Sequence, residues 1–216
     1  HDTTTLAFGH QPLPPLDGPI GQMQGPITHP LLDIHSGFAH RPGYYAKLAW
    51  QPPLPLRIEL FRYDNRANPE DVTPTHEWGW RTKFNQLAAV AQLPPGIELK
   101  AQALAGTTDM GFHRDGKRWV ESRFRSAFLL ATRSFGPFGL AVRGERFDTR
   151  NHGGIVGDDY DETGWSGMIA AKREWGPVTG LVELLHVSSE REDREDVGLA
   201  PRQRQTILQA EMRMRW

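Results

Sequence analysis

The stretch QTILQAEMRMRW, residues 205–216, decides the fold because apolar or small residues occupy every second position. Polar or charged residues stand between them at every place except Ile207. A period of two places successive side chains on opposite faces of a β-strand. This segment is therefore predicted to be a strand with one apolar face and one face of glutamine, glutamate and arginine.

The same alternation recurs along the chain and predicts eight further strands. In the segment 97–105, for example, Ile97, Leu99 and Ala101 alternate with charged and amide side chains. A segment before these, TTTLAFG at 3–9, could form a first strand and bring the total to about ten. The eight are 44–50, 56–60, 77–85, 97–105, 120–130, 138–147, 165–175 and 178–188.

The connections between these strands alternate between short and long. Short ones occupy 52–55, 93–96, 134–137 and 175–177, and long polar ones occupy 64–75, 107–117, 149–162 and 190–203. This rhythm favours an antiparallel up-and-down meander with one smooth rim and one elaborate rim, as in transmembrane β-barrels of outer membranes.

The segment 10–42 is dense in proline and glycine, which are disfavoured within sheets, and it is predicted as a long loop on the elaborate rim. No domain boundary is evident. We therefore expect one barrel domain over 1–216, with the first strand at 1–9, the loop at 10–42 and regular hairpins over 43–216.

Composition excludes several classes of protein. The net charge of -1 argues against a nucleic-acid binder, and the absence of cysteine excludes disulfides, thiolate catalysis and cysteine-based zinc sites. The sequence contains no run of 18 apolar residues, so it predicts no transmembrane helix. The strands of a membrane β-barrel alternate between apolar and polar residues and would not form such a run. The first residues lack both an initiator Met and a secretory leader, so we expect a processed chain or a fragment.

Periodicity alone does not decide which face of the sheet points outward. In a soluble barrel or sandwich the apolar face points inward, and in a membrane barrel it points to lipid. Three features favour the membrane: mixed charges on one face of several strands, the alternation of loop lengths, and aromatic residues near strand ends. Those aromatic residues are Tyr44, Trp50, Trp78, Trp80, Trp119, Trp165, Trp175 and Trp216.

The terminal stretch resembles the C-terminal β-signal of bacterial outer-membrane proteins, in which alternating apolar residues lead to a terminal aromatic residue. The matching residues are Leu208, Ala210, Met212, Met214 and Trp216, although phenylalanine is the usual last residue. The hairpins over 43–216 resemble the C-terminal half of longer porin-like proteins. The resemblance implies a Gram-negative outer-membrane location and recognition by the barrel-assembly machinery, so deletion of Trp216 should block insertion.

The porin-like reading predicts passive diffusion of small polar solutes or ions, without catalysis or a cofactor, through a monomer or a homo-oligomer. Opposed charges in the lumen would orient solutes and set ion preference. A narrow barrel closed by salt bridges stays an alternative. The predicted lumen-lining residues are Arg57, Glu59, Arg81, Lys83, Glu98, Lys100, Glu121, Arg123, Arg125, Arg143, Glu145, Glu183, Glu211 and Arg213.

Loop residues suggest further partners. Basic residues could contact lipopolysaccharide phosphates: Arg66, Arg114, Lys117, Arg118, Arg191 and Arg194. An acidic group could bind Ca²⁺, although its spacing is not that of an EF-hand and a solvated loop is the simpler explanation: Asp158, Asp159, Asp161 and Glu162. Four histidines in the proline-rich segment match no standard zinc spacing: His10, His29, His35 and His40.

Two other classes of function stay open. An outer-membrane hydrolase or acyltransferase could use a rim histidine with a carboxylate, such as His152 with Asp158 or Asp159, or His113 with Asp115. Ser188 and Ser189 have only the neighbouring His186 as a base, and no G-x-S-x-G motif occurs. A soluble β-barrel that binds a small apolar ligand is the third class.

Overall fold

A computed structural model describes residues 42–72, 78–154 and 161–215 of the chain. These residues form nine β-strands and one short 3₁₀-helix, Glu192–Val197, between the last two strands. In this part of the chain no helix is long and apolar enough to cross a membrane. The strands are β1 Tyr44–Trp50, β2 Leu56–Asp64, β3 Arg81–Leu93, β4 Ile97–Arg114, β5 Lys117–Phe135, β6 Phe138–Asn151, β7 Glu162–Trp175, β8 Val178–Arg191 and β9 Arg202–Met214.

Each strand pairs antiparallel with the next one along the chain, so the sheet order is β1 to β9 without a crossover. The predicted all-β up-and-down meander is therefore confirmed. In the described residues β1 and β9 do not pair with each other, and the sheet is open. The segment 3–9 and all but the last residue of 10–42 lie outside the described residues, so the first strand and barrel closure stay predictions.

The sheet is staggered by a constant amount. Leu56 of β2 pairs with Ala91, and β3 then continues two residues further, to Leu93. The same overhang of two residues follows the pairs Ile97–Arg133 and Phe138–Arg173 at the next two short turns. Two residues per hairpin is one residue per strand, which is the kind of shear that a tilted, curved sheet requires.

The predicted short turns are confirmed, but the predicted long loop over 107–117 is wrong. There β4 runs to Arg114, β5 starts at Lys117, and only Asp115 and Gly116 turn, both at positive φ. An Asp-Gly pair suits such a two-residue turn. The third predicted strand, 77–85, is also displaced, because the observed strand is Arg81–Leu93.

A bulge shapes the long β4–β5 hairpin. The pairing register shifts between Met110 and His113, where Gly111 has a φ of 88°. A Cβ on Gly111 would lie 2.7 Å from the Cβ of Trp119, so both the backbone conformation and the space require glycine.

The bulge lies beside the main buried cluster of the described residues. Trp78, Met110 and Val120 are buried there, with Trp80 and Trp119 packed against them. The rings of Trp78 and Trp119 have centroids 5.3 Å apart. Three tryptophans predicted for an aromatic belt therefore belong instead to a small core that ties the β2–β3 connection to the hairpin.

Candidate functional site

The pairing register sorts the strand residues onto two faces of the sheet. The face that we call the apolar face contains the odd-numbered residues of β3, β4 and β5 and their partners, including Leu87, Ala103 and Leu129. The face that we call the charged face contains the even-numbered residues of these strands, including Lys100. The polarity of each face changes between the short turns and the long connections.

On the apolar face, the part of each strand next to its short turn is a run of mostly apolar or small side chains. In β4 and β5 this run covers nine residues, 97–105 and 127–135. No residue of the run is buried, and many of its larger side chains are 47–79% accessible to solvent, whereas Ile97 and Leu99 are half-buried. Examples on eight of the strands are Leu48, Leu60, Leu87, Leu129, Leu140, Val142, Ile169, Val182, Leu184, Leu208 and Met212. We call this region the apolar band.

The height of the apolar band follows from strand geometry. Nine residues rise about 30 Å along a strand. A strand tilt of roughly 40° reduces this to about 23 Å, close to the apolar band of about 25 Å in transmembrane barrels. Only four hydrophobic residues of the described part of the chain are buried, so the band does not cover an ordinary core.

Beyond the band, the same face becomes charged. Arg81 pairs with Asp64 at 3.1 Å, and Asp148 receives both Arg125 at 3.1 Å and Arg150 at 3.0 Å. The charged residues of this zone are Arg62, Asp64, Arg81, Lys83, Asp109, Glu121, Arg123, Arg125, Arg146, Asp148, Arg150, Glu190, Arg202 and Arg204.

On the charged face the polarity changes in the opposite direction, from charged near the short turns to apolar near the long connections. Behind the apolar band this face carries ion pairs, mostly between residues two apart on one strand, which point to the same side. Glu59 accepts both Lys47 at 2.9 Å and Arg57 at 2.6 Å. The other pairs are Lys100–Glu98 at 2.9 Å, Arg143–Glu145 at 2.7 Å, Lys172–Glu174 at 3.0 Å and Arg213–Glu211.

Toward the long connections the charged face becomes aromatic and aliphatic. The Tyr63 and Phe84 rings stack with centroids 5.3 Å apart, and Phe61 lies 5.8 Å from Phe84. The tip of the Phe124 ring lies over Gly106, where an added Cβ would be 2.7 Å from its Cζ. Residues of this zone are Tyr45, Phe61, Tyr63, Phe84, Leu104, Phe124, Phe128, Phe147, Met168, Leu185, Val187 and Ile207.

The fourteen predicted lumen-lining residues do not share one face. Nine lie on the charged face: Arg57, Glu59, Glu98, Lys100, Arg143, Glu145, Glu183, Glu211 and Arg213. Five lie on the apolar face beyond the band, and their placement corrects the prediction: Arg81, Lys83, Glu121, Arg123 and Arg125. The cause is that polarity changes sides within one strand, as in β5, where Phe124 and Leu129 have opposite parity.

Sequence reasoning missed three members of the ion-paired zone. Lys47 lies on the short edge strand β1, and Lys172 and Glu174 lie at the end of β7. Lys172 and Glu174 continue the two-residue spacing of Met168 and Ala170 on β7, and this spacing was the sequence signal for their shared face. The segment of the β-signal resemblance is a strand, with Leu208, Ala210, Met212 and Met214 all on the apolar face. Trp216 lies outside the described residues.

Two carboxylates of the charged zone have shifted pKa values. Burial alone would raise the pKa of Asp64, but hydrogen bonds from Arg81 and from the backbone N–H of Arg66 hold it below its ordinary value. Burial raises the pKa of Asp109, against the opposing effect of Lys83, Arg118 and Arg81. The ionised form of Asp64 is therefore stabilised, whereas burial destabilises the ionised form of Asp109.

The predicted calcium ligands are only partly visible. Asp161 accepts hydrogen bonds from Arg150 and from the backbone of Asn151, and Glu162 pairs with Arg194 at 2.7 Å. Asp158 and Asp159 lie outside the described residues, as do His10, His29, His35 and His40. Over 42–72, 78–154 and 161–215 no group of three His, Asp or Glu residues is placed to hold a metal ion.

The predicted catalytic pairs are not assembled within the described residues. Asp115 lies 3.7 Å from Arg114 in the hairpin turn, with its side chain 93% exposed. His186 Nδ1 lies 2.8 Å from the Thr206 hydroxyl, and its ring faces Trp165. The carboxylates proposed for His152 fall outside the described residues.

Four of the six basic residues predicted to contact lipopolysaccharide have carboxylate partners within the chain, and one of these is Arg114, 3.7 Å from Asp115. Arg118 reaches Glu70 and Asp109, Arg191 pairs with Asp193, and Arg194 pairs with Glu162. Lys117 and Arg114 lie at the exposed hairpin tip, and Arg66 lies in the β2–β3 connection. A phosphate would therefore have to compete with internal partners at four of these six positions.

Comparison with protein-family models, with curated proteins and with solved structures found no match to this chain. The two faces of the sheet are therefore the features from which a function can be inferred.

Proposed function

We propose that this sheet is the wall of a bacterial outer-membrane β-barrel that lets small polar solutes or ions diffuse passively. The apolar band would face lipid, and the ion-paired charged face would line the lumen. The short turns would then lie at the periplasmic rim and the long connections at the outer rim, which is the usual orientation of such barrels.

The observation that carries the proposal is the continuous apolar band on an exposed sheet face, directly behind a face of ion pairs. A soluble sheet of this kind would bury the apolar side and expose the charged one. Here Leu208 and Met212 are 72% and 79% exposed, and apolar neighbours continue the exposure across the sheet. Contiguous exposed apolar surface of this extent is typical of contact with lipid or with another protein.

The lumen chemistry follows from the arrangement of charge. Each cation of the ion-paired zone has an acceptor at 2.6–3.0 Å or in direct contact, so the zone is close to neutral and strongly polar. Such a surface orders water and favours hydrated, polar solutes over apolar ones. It does not favour one sign of ion strongly.

Planar-bilayer conductance of the detergent-refolded chain tests the proposal. Discrete current steps are expected, with weak ion selectivity. Insertion without conductance would contradict the channel but retain the membrane barrel. A monodisperse protein in plain buffer that does not partition into vesicles would contradict both. In that case the apolar band covers another protein surface or an apolar ligand.

A further inference from the structure

The apolar band contains only two charged side chains in the part of the chain that the structure describes, Arg133 and Arg173. Arg133 stands two residues before the end of β5, and Arg173 stands two residues before the end of β7. Because the sheet is staggered by two residues per hairpin, equivalent positions in successive hairpins lie at the same height. Both arginines are therefore level with each other, close to the short-turn rim.

Aromatic rings surround both guanidinium groups. The guanidinium carbon of Arg133 lies 4.4 Å from the centroid of Phe135. That of Arg173 lies 5.0 Å from the centroids of both Phe138 and Trp175. Phe135 and Phe138 are cross-strand partners, so the two arginines flank one aromatic pair. Stacking of this kind fixes a guanidinium plane and leaves its N–H edges free to donate.

Neither arginine has an acidic partner among the described residues, unlike the six cations of the ion-paired zone on the opposite face. An unpaired cation on a lipid-facing surface costs little only near the interface, where it reaches phosphate groups. Arg133 and Arg173 are two strand spacings apart across the sheet and two residues apart along it, a separation of about 12 Å. Two long side chains can close on one headgroup across that distance.

From this arrangement we infer that Arg133 and Arg173 form a binding site for the phosphate of one anionic glycerophospholipid in the leaflet at the short-turn rim. Planar guanidinium groups suit bidentate contact with phosphate oxygens. The acyl chains would lie along the apolar band above, over Ile169 and Leu140. This inference rests on the proposed membrane location, but it does not require that the barrel conducts.

Lipid retention tests the site. The full chain is inserted into vesicles of mixed phosphatidylglycerol and phosphatidylcholine, extracted in detergent, and its retained lipids are counted by mass spectrometry. Enrichment of phosphatidylglycerol is expected for the wild type. The double variant R133Q/R173Q should lose it, by about fivefold per arginine, which matches the usual gain of one basic residue near an anionic surface.

The matched control is R202Q/R204Q, which removes the same charge from the exposed end of β9 beyond the apolar band and should retain the enrichment. If R133Q/R173Q fails to insert, the single variants Arg133→Gln and Arg173→Gln replace it, and each should lose about fivefold.

Equal enrichment in the wild type and the Gln variants would overturn the site while leaving the barrel intact. Displacement of the lipid by inorganic phosphate would overturn the assignment to a lipid headgroup. A wild type that stays in water would overturn both the site and the proposed function.

Discussion

The two halves of the sheet, divided where the apolar band ends, reverse their polarity. In the short-turn half, Leu129 is exposed on one face while Lys100 and Glu98 pair on the other. In the long-connection half, Arg125 and Asp148 pair on the first face while Phe124 lies on the second. The same face of the sheet is thus apolar in the short-turn half and charged in the long-connection half.

The reversal teaches that the strands are longer than their apolar band. A transmembrane strand needs about 9–11 residues. β4 and β5 have 18 and 19 residues, so about half of each extends past the band. In the proposed barrel the short-turn half meets lipid, and the other half stands in water with its aromatic side turned inward.

The largest expected effect comes from a charge placed in the band. Ala101→Arg, on the apolar face of β4, should destabilise the bilayer-inserted protein by about 2–4 kcal/mol. Its neighbour Gln102→Arg, on the charged face, should cost much less because its side chain meets polar groups. Urea unfolding from vesicles measures both; equal losses would contradict the assignment of the faces.

A smaller effect is expected in the aromatic zone. Gly106→Ala brings a Cβ against the backbone oxygen of Lys83, 2.5 Å from the Cβ of Phe84 and 2.7 Å from the Phe124 ring, and should cost about 1–3 kcal/mol through strain. Gly144→Ala is the control, because no atom lies within 4 Å of its new Cβ. The unfolding midpoints of the two variants provide the measurement, and indistinguishable midpoints would contradict the close packing around Gly106.

The charged zone beyond the band predicts a pH dependence. The pKa of Asp64 is below its ordinary value of 3.8, so its contribution to stability is complete above that value and disappears as the pH falls through the lowered pKa. Asp64→Asn should therefore cost about 1–2 kcal/mol at neutral pH, and the difference should shrink on acidification.

Unfolding of the Asp64→Asn variant from pH 7 to 3 provides the measurement. Asp115→Asn, whose side chain is 93% exposed, should change little at any pH in this range. A loss for Asp64→Asn that did not depend on pH would show that the carboxylate charge is not what stabilises this position.

The smallest energetic effect is expected within the ion-paired zone. Glu59→Gln removes the partner of both Lys47 and Arg57, and since these groups are partly exposed the loss of stability should be about 0.2–1 kcal/mol. The reversal potential across a salt gradient should nevertheless shift toward anions. Glu195→Gln, in the 3₁₀-helix, should leave it unchanged. The same reversal potential for both variants would place Glu59 outside the conduction path.

Sequence alternation predicted the meander, the short turns and most strand starts, because period-two patterning and turn residues are local signals. It failed where polarity reverses, since Phe84 and Leu87 lie on opposite faces of one strand and no single pattern fits both. The Trp78 cluster depends on contacts with residues 110–120, which no local pattern contains. The Asp115–Gly116 turn was accessible from its sequence, as an Asp-Gly pair between two polar segments.

The residues of the candidate site likewise divide into those that a local pattern predicts and those that depend on contacts between strands. Same-strand pairs such as Arg57–Glu59 and Arg143–Glu145 are two residues apart and follow directly from sequence. The aromatic pair between Arg133 and Arg173 does not, because Phe135 and Phe138 belong to two strands and Arg173 to a third. Only the register of the sheet brings these side chains together.

The odd number of strands among the described residues has a consequence for the seam between β1 and β9. β1 and β9 both run from the long connections toward the short-turn side, so a bond ladder between them would be parallel. Bacterial barrels of one chain use even numbers and antiparallel neighbours throughout. A cylinder that keeps that rule therefore takes up an odd number of additional strands beside β1 and β9, and its diameter grows with each one.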